Sequence, residues 1–402
     1  MRSQMNLSTV FESVAHKQLS SVEIFGLGSK QHELNGDSGL RQLFGTEEET
    51  RGPISWHYFA DDSEPVEEDG EFTFYDARAK SADKTGRSEW RFYYTGAFVR
   101  RANVGDTLIV ARTHTGQVFG LIFQKDSAWL RAAHVLFGIK QSEPEFAGIP
   151  QQALDRQQLE LMHSQILAEL NLELALPVAS TDERIVTDKF GCKFPTTRAM
   201  SEFARTQVEV DGDKPDDILV QWLEREEELF RALEKVIIGG RIAEGFKEVD
   251  VFIEYSLSVQ NRRKSRMGFA LQNHLTELFT RNRLRFTPQA RTEPNNRPDF
   301  IFPGESEYHE AGFDDALLVM LGVKSTSKDR WRQVLTEADR IPKKHLCTLE
   351  AAISTRQTDE MLRHNLTLVV PEDLHETYTT SQKRTLLSVA DFIEFVRRKQ
   401  TT

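Results

Sequence analysis

Cysteine is scarce in this sequence: the 402 residues include only Cys192 and Cys347, which lie far apart in the chain. A disulfide framework or a cysteine-ligated zinc cluster needs more cysteines at closer spacing. The sequence therefore excludes both of these classes. Low cysteine content is typical of proteins that fold in a reducing compartment, and we expect a cytoplasmic location.

Long hydrophobic runs are also lacking. No apolar segment approaches the roughly 20 residues that a transmembrane helix requires, and the first residues do not lead into the apolar core of a signal peptide. We therefore expect no association with a membrane. The hydrophobic content of 39% and the charged content of 28% are ordinary for a globular protein.

Positive charge is not in excess, since the formal net charge is −11. This argues against a protein that coats nucleic acid without specificity. It does not exclude a protein that concentrates its cations in one cleft and has acidic outer faces. Local basic density is therefore more informative than the total charge.

The first part of the chain is predicted to be rich in β-strands. Short apolar or alternating segments there are separated by turns that contain glycine. A short helix is expected at Ser38–Phe44, and the acidic segment Asp61–Gly70 is expected to be a solvated loop. The predicted strands are Glu71–Tyr75, Glu89–Tyr94, Thr107–Arg112 and Val118–Gln124.

Basic and aromatic residues are interleaved within this β-rich part, in what we call the amino-terminal basic run. On a β surface such a set can bind DNA phosphates, so its members are candidate DNA-binding residues. An equally good interpretation is a solvated face whose aromatic rings lie in the core. The basic residues are Arg78, Lys80, Lys84, Arg87, Arg91, Arg100 and Arg101, and the aromatic residues are Trp90, Tyr93 and Tyr94.

Two breaks divide the chain. Glu143–Pro150 and the segment from Pro177 to Asp188 contain helix-breaking prolines, and the long amphipathic helix predicted at Gln152–Leu174 lies between them. We predict a β-rich domain over residues 1–142, a linker with a long helix over 143–188, and a third segment over 189–402.

The third segment is predicted to be an α/β domain with a mixed central sheet flanked by helices, because strands alternate with helices along it. A helix through Arg205 is capped by Thr196 or Thr197, and another runs from Pro215 to near Gly239. Further helices are expected at Phe246–Leu257, Leu349–Arg363 and Ser388–Lys399. The predicted strands are Phe286–Thr292, Asp299–Phe302, Leu317–Lys324, Leu346–Leu349 and Leu366–Val370.

A second basic cluster is predicted to lie just before a helix that ends near Phe279. Cations at the start of a helix are suited to bind DNA phosphates, so this cluster is a candidate phosphate clamp. A surface cluster without a ligand is the alternative. The cluster consists of Arg262, Arg263, Lys264 and Arg266.

Three residues have the chemistry of a magnesium-dependent phosphodiesterase. Asp299 follows Pro298, Lys324 ends an apolar strand, and Glu337 follows on a helix predicted from Lys328 to Ile341. Two carboxylates can hold the metal, and the lysine can steady the attacking water and the developing charge. If the helix packs beside the strand, Glu337 approaches Asp299 and Lys324.

The buried face of this predicted helix follows from helical spacing. It consists of Trp331, Val334, Leu335, Ala338 and Ile341.

The start of the same helix contains Lys328, Asp329 and Arg330. Arginine can donate twice to guanine, aspartate can accept from cytosine, and lysine can bind a base or a phosphate. The triplet is thus a candidate reader of C·G pairs. Taken alone, such a triplet is commonly an exposed helix start.

These motifs resemble the catalytic domain of the EcoRII-like restriction endonucleases, a branch of the PD-(D/E)xK nucleases. The resemblance extends from about residue 190 to 395. The matching segments include Ser258–Gly268, Pro298–Pro303, Tyr308-His309, Val323-Lys324, Lys328–Gln333, Glu337–Asp339 and Leu368–Pro371.

The resemblance implies a Mg²⁺-dependent cut of double-stranded DNA at a CCWGG or CCNGG type of site. It implies metal-binding roles for Asp299 and Glu337, a catalytic role for Lys324, and base reading by Lys328, Asp329 and Arg330. The amino-terminal half resembles this family far less, but its predicted β-rich pattern is compatible with the family's amino-terminal pseudobarrel, which binds a second copy of the site as an effector. A homodimer would match a palindromic site, and a DNA cytosine methyltransferase would be the genetic partner.

One position departs from the general nuclease pattern. The acid that usually stands two residues before the lysine is replaced by Gly322, and this branch takes that carboxylate from the following helix, where Glu337 fits. Some relatives have a further acid before the aspartate, for which Gln272 and Glu277 are the candidates.

Two other functions stay open at this point. One is a modification-dependent nuclease whose amino-terminal domain recognises methylated cytosine. The other is a DNA-binding regulator with an inactive nuclease core, which the presence of all three catalytic candidates disfavours.

Overall fold

A computed structural model of the protein describes most of the chain. The described residues are 6–24, 32–79, 88–96, 100–156, 167, 180–210, 212–294, 296–325, 331–351 and 353–401. The chain divides into one unit of Met1–Leu174 with Ala351–Ser354 and another of Ala175–Glu350 with Thr355–Thr402. The three segment boundaries expected from the sequence stay a prediction.

The amino-terminal unit is built on one eight-stranded sheet in the order β2-β5-β4-β3-β7-β6-β1-β8. Neighbouring strands are antiparallel except β3 and β7, which are parallel. The strands are β1 (Phe11–Gln18), β2 (Glu33–Asn35), β3 (Thr50–Phe59), β4 (Val66–Asp76), β5 (Trp90–Tyr94), β6 (Thr107–Thr113), β7 (Val118–Phe123) and β8 (Ala147–Gly148).

Helix α1 (Ser38–Phe44) links the two edges of this sheet. Just before it, the Gly36 amide donates to the Trp90 carbonyl of β5 over 2.8 Å, and within it the Gly39 amide donates to the Phe146 carbonyl beside β8 over 3.0 Å. A Cβ atom at Gly39 would lie 2.8 Å from that carbonyl oxygen, so the close approach requires glycine. Helix α1 thus follows the edge strand β2 and contacts the segment beside the other edge strand, β8, in a unit that is rich in β-strands, as predicted.

The four strands predicted in this unit are all present, within a few residues of their expected ends. The predicted loop at Asp61–Gly70 is wrong for its second half, because β4 begins at Val66. Val66 pairs with Tyr58 of β3, and Glu67 and Asp69 are exposed on alternate positions. The acidic residues therefore mark the solvent face of a strand.

Two further helices belong to this unit. Helix α2 (Ala128–Phe137) begins at Ser127, whose hydroxyl accepts from the Leu130 amide, and ends at Gly138 in the left-handed conformation. Of the long helix predicted at Gln152–Leu174, α3 (Gln151–Arg156) is described; most of the remainder lies outside the described residues.

The carboxyl-terminal unit contains a five-stranded mixed sheet in the order β13-β12-β11-β10-β9. β11, β12 and β13 are parallel, whereas β10 runs antiparallel to both of its neighbours. This confirms the predicted α/β fold class. The strands are β9 (Thr287–Pro288), β10 (Phe300–Phe302), β11 (Val319–Lys324), β12 (Lys344–Thr348) and β13 (Leu366–Val369).

The helices of this unit lie before, between and after its strands. Thr196 caps α5 as expected, since its hydroxyl accepts from the Ala199 amide over 3.2 Å. The helices are α4 (Ser180–Phe190), α5 (Thr197–Thr206), α6 (Pro215–Glu244), α7 (Val249–Arg281), α8 (Glu305–His309), α9 (Trp331–Val334), α10 (Thr355–Arg363), α11 (Thr380–Lys383) and α12 (Val389–Thr401).

The two longest helices differ from the predictions. Helix α6 continues through Gly239 and Gly240 and ends at Gly245, which has a φ of 77°. Helix α7 is one helix of 33 residues, although two helices were predicted over its length. The segment from Val249 to Met267 contains neither proline nor glycine, so nothing interrupts it.

Among the described residues, no helix has the length and apolar content that crossing a membrane requires.

Helix α9 approaches strand β11 very closely at Gly322. A Cβ atom at this position would lie 2.9 Å from Val334 Cγ2 and 3.1 Å from Val334 Cγ1. Val334 is fully buried, so it has little room to move. Glycine at this position is therefore a packing requirement.

We predict that Gly322→Ala destabilises the carboxyl-terminal unit by about 1–3 kcal/mol, because the added methyl group overpacks the contact with Val334. Urea unfolding followed by tryptophan fluorescence measures the change. Gly312→Ala is the matched control, since a Cβ atom there meets nothing within 4 Å. Equal stability of the two variants would contradict the packing argument.

Candidate active site

Asp299 and Lys324 are brought together by the pairing of β10 with β11. Asp299 directly precedes β10, and its Oδ2 accepts from the Val323 amide over 2.7 Å. Val323 is the residue before Lys324, so this bond fixes the carboxylate beside the lysine. The other oxygen, Oδ1, accepts from the Gln289 side-chain amide over 2.8 Å.

Glu337 reaches the same place, but from a turn. The helix predicted from Lys328 to Ile341 is wrong in its second half, because α9 ends at Val334 and Ala338 has a φ of +54°. A residue in the left-handed region cannot continue an α-helix. Of the predicted buried face, Trp331, Val334, Ala338 and Ile341 are buried, whereas Leu335 is half-buried.

The charges of Asp299, Lys324 and Glu337 influence one another. Burial, and then the negative charge of Asp299, raise the pKa of Glu337 to about 7, against the opposing charges of Lys324 and Lys344. Burial also raises the pKa of Asp299, which the Lys324 charge and the two hydrogen bonds counteract. Two half-buried carboxylates thus share one neighbouring ammonium group.

The donor set is suited to a hard divalent cation. Asp299 and Glu337 offer carboxylate oxygens. Burial, and then repulsion by Asp299, raise the pKa of Glu337, and a bound cation would stabilise its charged form. In the part of the chain that the structure describes, no group of three or more His, Cys, Asp or Glu side chains is placed to hold a metal. The site fits an ion that keeps several water ligands, as Mg²⁺ does.

Three residues near the site were not predicted: Gln289, Glu293 and Lys344. Burial would raise the pKa of Glu293, but hydrogen bonds from Thr292, Tyr308, the Asp339 amide and Asn296 outweigh it and lower the pKa to about 2. The only sequence signal for Glu293 is an acid in the polar segment before Pro298-Asp299. Nothing in the sequence distinguishes Lys344.

The candidate base-reading residues Lys328, Asp329 and Arg330 lie outside the described residues. Of the two candidates for a further acid, Glu277 forms an ion pair with Arg281, one turn along α7, over 3.1 Å.

The predicted phosphate clamp at Arg262–Arg266 was wrongly expected before a helix, because these residues lie in the middle of α7. Arg263 donates to Oε1 of Glu234 on α6 over 2.9 Å and to Oε2 over 2.6 Å. Arg266 is buried, and it pairs with Glu226, at 3.7 Å, and with Glu227. These two arginines therefore join α6 to α7.

The other two members of the cluster differ. The guanidinium of Arg262, whose side chain is exposed, lies 4.0 Å from the centre of the Phe194 ring. The structure describes the backbone of Lys264 but not its side chain.

We predict that Arg266→Ala destabilises the carboxyl-terminal unit by about 3–5 kcal/mol, because the buried carboxylate of Glu226 loses its arginine partner. Chemical denaturation measures the loss. Arg198→Ala is the control, since Arg198 forms an exposed pair with Glu202 and such pairs contribute about 0–1 kcal/mol. A small effect at Arg266 would show that the buried pairing is not stabilising.

In the amino-terminal basic run, Arg78 and Arg91 pair with an acid, whereas Arg100 and Arg101 are exposed. Arg78 donates to Glu89 over 2.6 Å, and Arg91 also pairs with Glu89. Trp90 and Tyr94 lie in the core, whereas Tyr93 is exposed. Lys80, Lys84 and Arg87 lie outside the described residues, so a role of this run in DNA binding stays a prediction.

A mixed sheet that brings two carboxylates and a lysine together at neighbouring strands is characteristic of an α/β nuclease domain. The family model described as EcoRII C terminal matches residues 230–393. The type II restriction enzyme EcoRII of Escherichia coli is 39% identical over 230 residues, which are 57% of this chain and 56% of that protein. The chain thus spans about half the length of this curated relative, and the predicted EcoRII-like resemblance is confirmed.

Two solved structures show lower similarity, and one of them is a restriction endonuclease, PspGI. Metal-depleted Ecl18kI in complex with uncleaved, modified DNA gives a TM-score of 0.46 at 16% identity, covering 55% of this chain and 84% of that one. The PspGI–substrate DNA complex gives a TM-score of 0.43 at 17% identity, covering 54% and 95%.

The raised pKa of Glu337 predicts a pH-dependent cost to stability. The folded state holds this proton up to about pH 7, whereas the unfolded chain releases it near the ordinary glutamate pKa of about 4.3. Stability therefore falls as the pH rises through this window. We expect Glu337→Gln to remove that cost.

The thermal unfolding midpoints of wild type and Glu337→Gln, measured in a chelator at about pH 5 and about pH 8, test this prediction. The variant should gain relative to wild type at the higher pH. Glu310→Gln, at an exposed position, should show no such gain. A difference between wild type and Glu337→Gln that does not change with pH would contradict the expectation.

Proposed function

We propose that this protein is a type II restriction endonuclease that makes a Mg²⁺-dependent double-strand cut in DNA. The observation that carries the proposal is the convergence of Asp299, Lys324 and Glu337 beside one another in a nuclease-type sheet. The match of residues 230–393 to the EcoRII C terminal family model and the 39% identity to EcoRII over 230 residues support the same activity. By this resemblance the site is a short palindrome of the CCWGG or CCNGG type.

In this mechanism Asp299 and Glu337 would hold the metal ion. The ion would supply Lewis-acid stabilisation of the phosphate. Lys324 would orient the attacking water by hydrogen bonding and balance the charge that develops on the phosphate. The Val323 amide and Gln289 orient the Asp299 carboxylate before DNA binds.

Recognition in this proposal belongs to the segment between Lys324 and α9. Arg330 donates to guanine, Asp329 accepts from cytosine, and Lys328 binds a base or a phosphate. Each lost bidentate contact should weaken specific binding by about 1–3 kcal/mol. Recognition and metal binding would then come from residues separated by only a few positions in the chain.

The assembly proposed for this reaction is a homodimer, because two active sites related by a two-fold axis match a palindromic site. The β-rich amino-terminal unit would bind a second DNA site as an effector, and the amino-terminal basic run would contribute to that binding. A DNA cytosine methyltransferase would protect the host genome. The proposed location is the cytoplasm.

The proposal predicts that Asp299→Ala and Lys324→Ala each reduce DNA cleavage by at least about 10²-fold, because a preorganised charge at the reacting phosphate is lost. Cleavage is measured with Mg²⁺ on an unmethylated plasmid that contains CCWGG and CCNGG sites. DNA binding without metal should persist in both variants. Asp250→Ala and Lys247→Ala, at exposed positions, are matched controls and should cut normally.

The same assay distinguishes the alternatives. Discrete fragments from unmethylated plasmid alone support the proposal, whereas cutting only of the cytosine-methylated plasmid would indicate a modification-dependent nuclease. Binding without any cutting would indicate a regulator. Full activity in Asp299→Ala or Lys324→Ala would refute the assigned site.

A further inference from the structure

The backbone turn that contains Glu337 has a conformation that its own hydrogen bonds do not stabilise. The helix before it ends at Val334, and the Glu337 amide makes only a tight-turn bond to the Val334 carbonyl over 3.3 Å. Ala338 adopts the left-handed conformation with a φ of +54°, which is unfavourable for a residue with a Cβ atom. Contacts from outside the turn must therefore stabilise its conformation.

Glu293 supplies such contacts on the amide side. Its Oε2 accepts from the Ala338 amide over 3.2 Å, and its Oε1 accepts from the Asp339 amide over 3.0 Å. These are the two peptide groups directly after Glu337. One carboxylate thus holds both amides that the left-handed turn leaves without helical partners.

Glu293 is itself fixed in place. The Tyr308 hydroxyl donates to its Oε1 over 2.5 Å, and the Asn296 side chain donates to its Oε2 over 3.4 Å. Asn296 also donates to the Thr336 carbonyl, directly before Glu337, over 2.7 Å. The support therefore extends to both sides of Glu337 in the chain.

Lys344 supplies the matching contacts on the carbonyl side. Its buried ammonium group donates to the carbonyls of Glu337, Ala338 and Ile341 over 2.6, 3.1 and 2.9 Å. Lys344 begins strand β12, which pairs with the catalytic strand β11. The turn is thus tied to the sheet that positions Lys324.

We propose that Glu293 and Lys344 are positioning residues that hold Glu337 in the place where it binds the metal ion. This inference rests on the proposed function of Glu337. Neither side chain is assigned to the metal, because both are engaged with the backbone of the turn. They act through the geometry of Glu337, as residues that orient metal ligands do in other proteins.

The test compares Glu293→Ala with wild type and with Glu305→Ala. Glu305 is a matched control because it also accepts a backbone amide, that of Arg291 over 3.1 Å, but does not contact the turn. Two readouts do not need catalysis: Mn²⁺ affinity of the DNA-free protein, measured by electron paramagnetic resonance, and hydrogen exchange of the Ala338 and Asp339 amides.

We expect Glu293→Ala to weaken Mn²⁺ binding by about 10–100-fold and to speed exchange of these two amides. Glu305→Ala should change neither readout. Glu293→Gln, which keeps one acceptor oxygen and the side-chain shape, should restore part of the affinity. Lys344→Met should weaken Mn²⁺ binding in the same direction.

Mn²⁺ affinity equal to that of wild type in both Glu293→Ala and Glu293→Gln would overturn the inference, even if thermal stability falls. The failure of the proposed function is seen separately. If wild type binds Mn²⁺ but cuts no DNA, the nuclease proposal fails. The positioning roles still stand in that case if Glu293→Ala weakens the binding.

Discussion

The contact between Gly322 of β11 and Val334 of α9 determines where the second carboxylate comes from. A side chain at residue 322 would meet the Val334 methyl groups at about 3 Å, so the strand position two residues before Lys324 has no room for an acid. The second carboxylate must then come from another element. Glu337 lies in the turn that follows α9, near Asp299 and Lys324, where a straight helix would not place it in the same way.

The two carboxylates are held by different means. Asp299 is fixed through its own oxygens, which accept from the Val323 amide and from Gln289. Glu337 is fixed through its backbone, whose neighbouring amides and carbonyls are bound by Glu293 and Lys344. Its oxygens therefore stay available to a ligand. Without a bound cation, the charged form of Glu337 lowers the stability of the folded state. Binding sites commonly reduce stability in this way.

Much of the sheet and two of the three candidate catalytic residues could be predicted from local pattern. The apolar run that ends at Lys324 is a buried strand, and Asp299 stands before another. Glu337 was expected near them on a helix that continues to Ile341, but the helix ends at Val334 and Glu337 lies in the following turn. The apolar residues Val334, Ala338 and Ile341 keep helical spacing across this turn, so the sequence pattern does not reveal it. Arg263 and Arg266 pair with acids on α6 that lie about 30 to 40 residues away in sequence. Local basic density does not show such distant partners, so a buried network of ion pairs was predicted to be a phosphate clamp.

The two cysteines differ in a way that has a practical consequence. Cys192 is exposed, whereas Cys347 lies inside β12 between Val323 of β11 and Val369 of β13. Burial raises the pKa of the Cys347 thiol well above its ordinary value, so the reactive thiolate is scarce there. A maleimide dye would therefore label the folded protein at Cys192 alone. Labelling of Cys347 would report that the central sheet has opened.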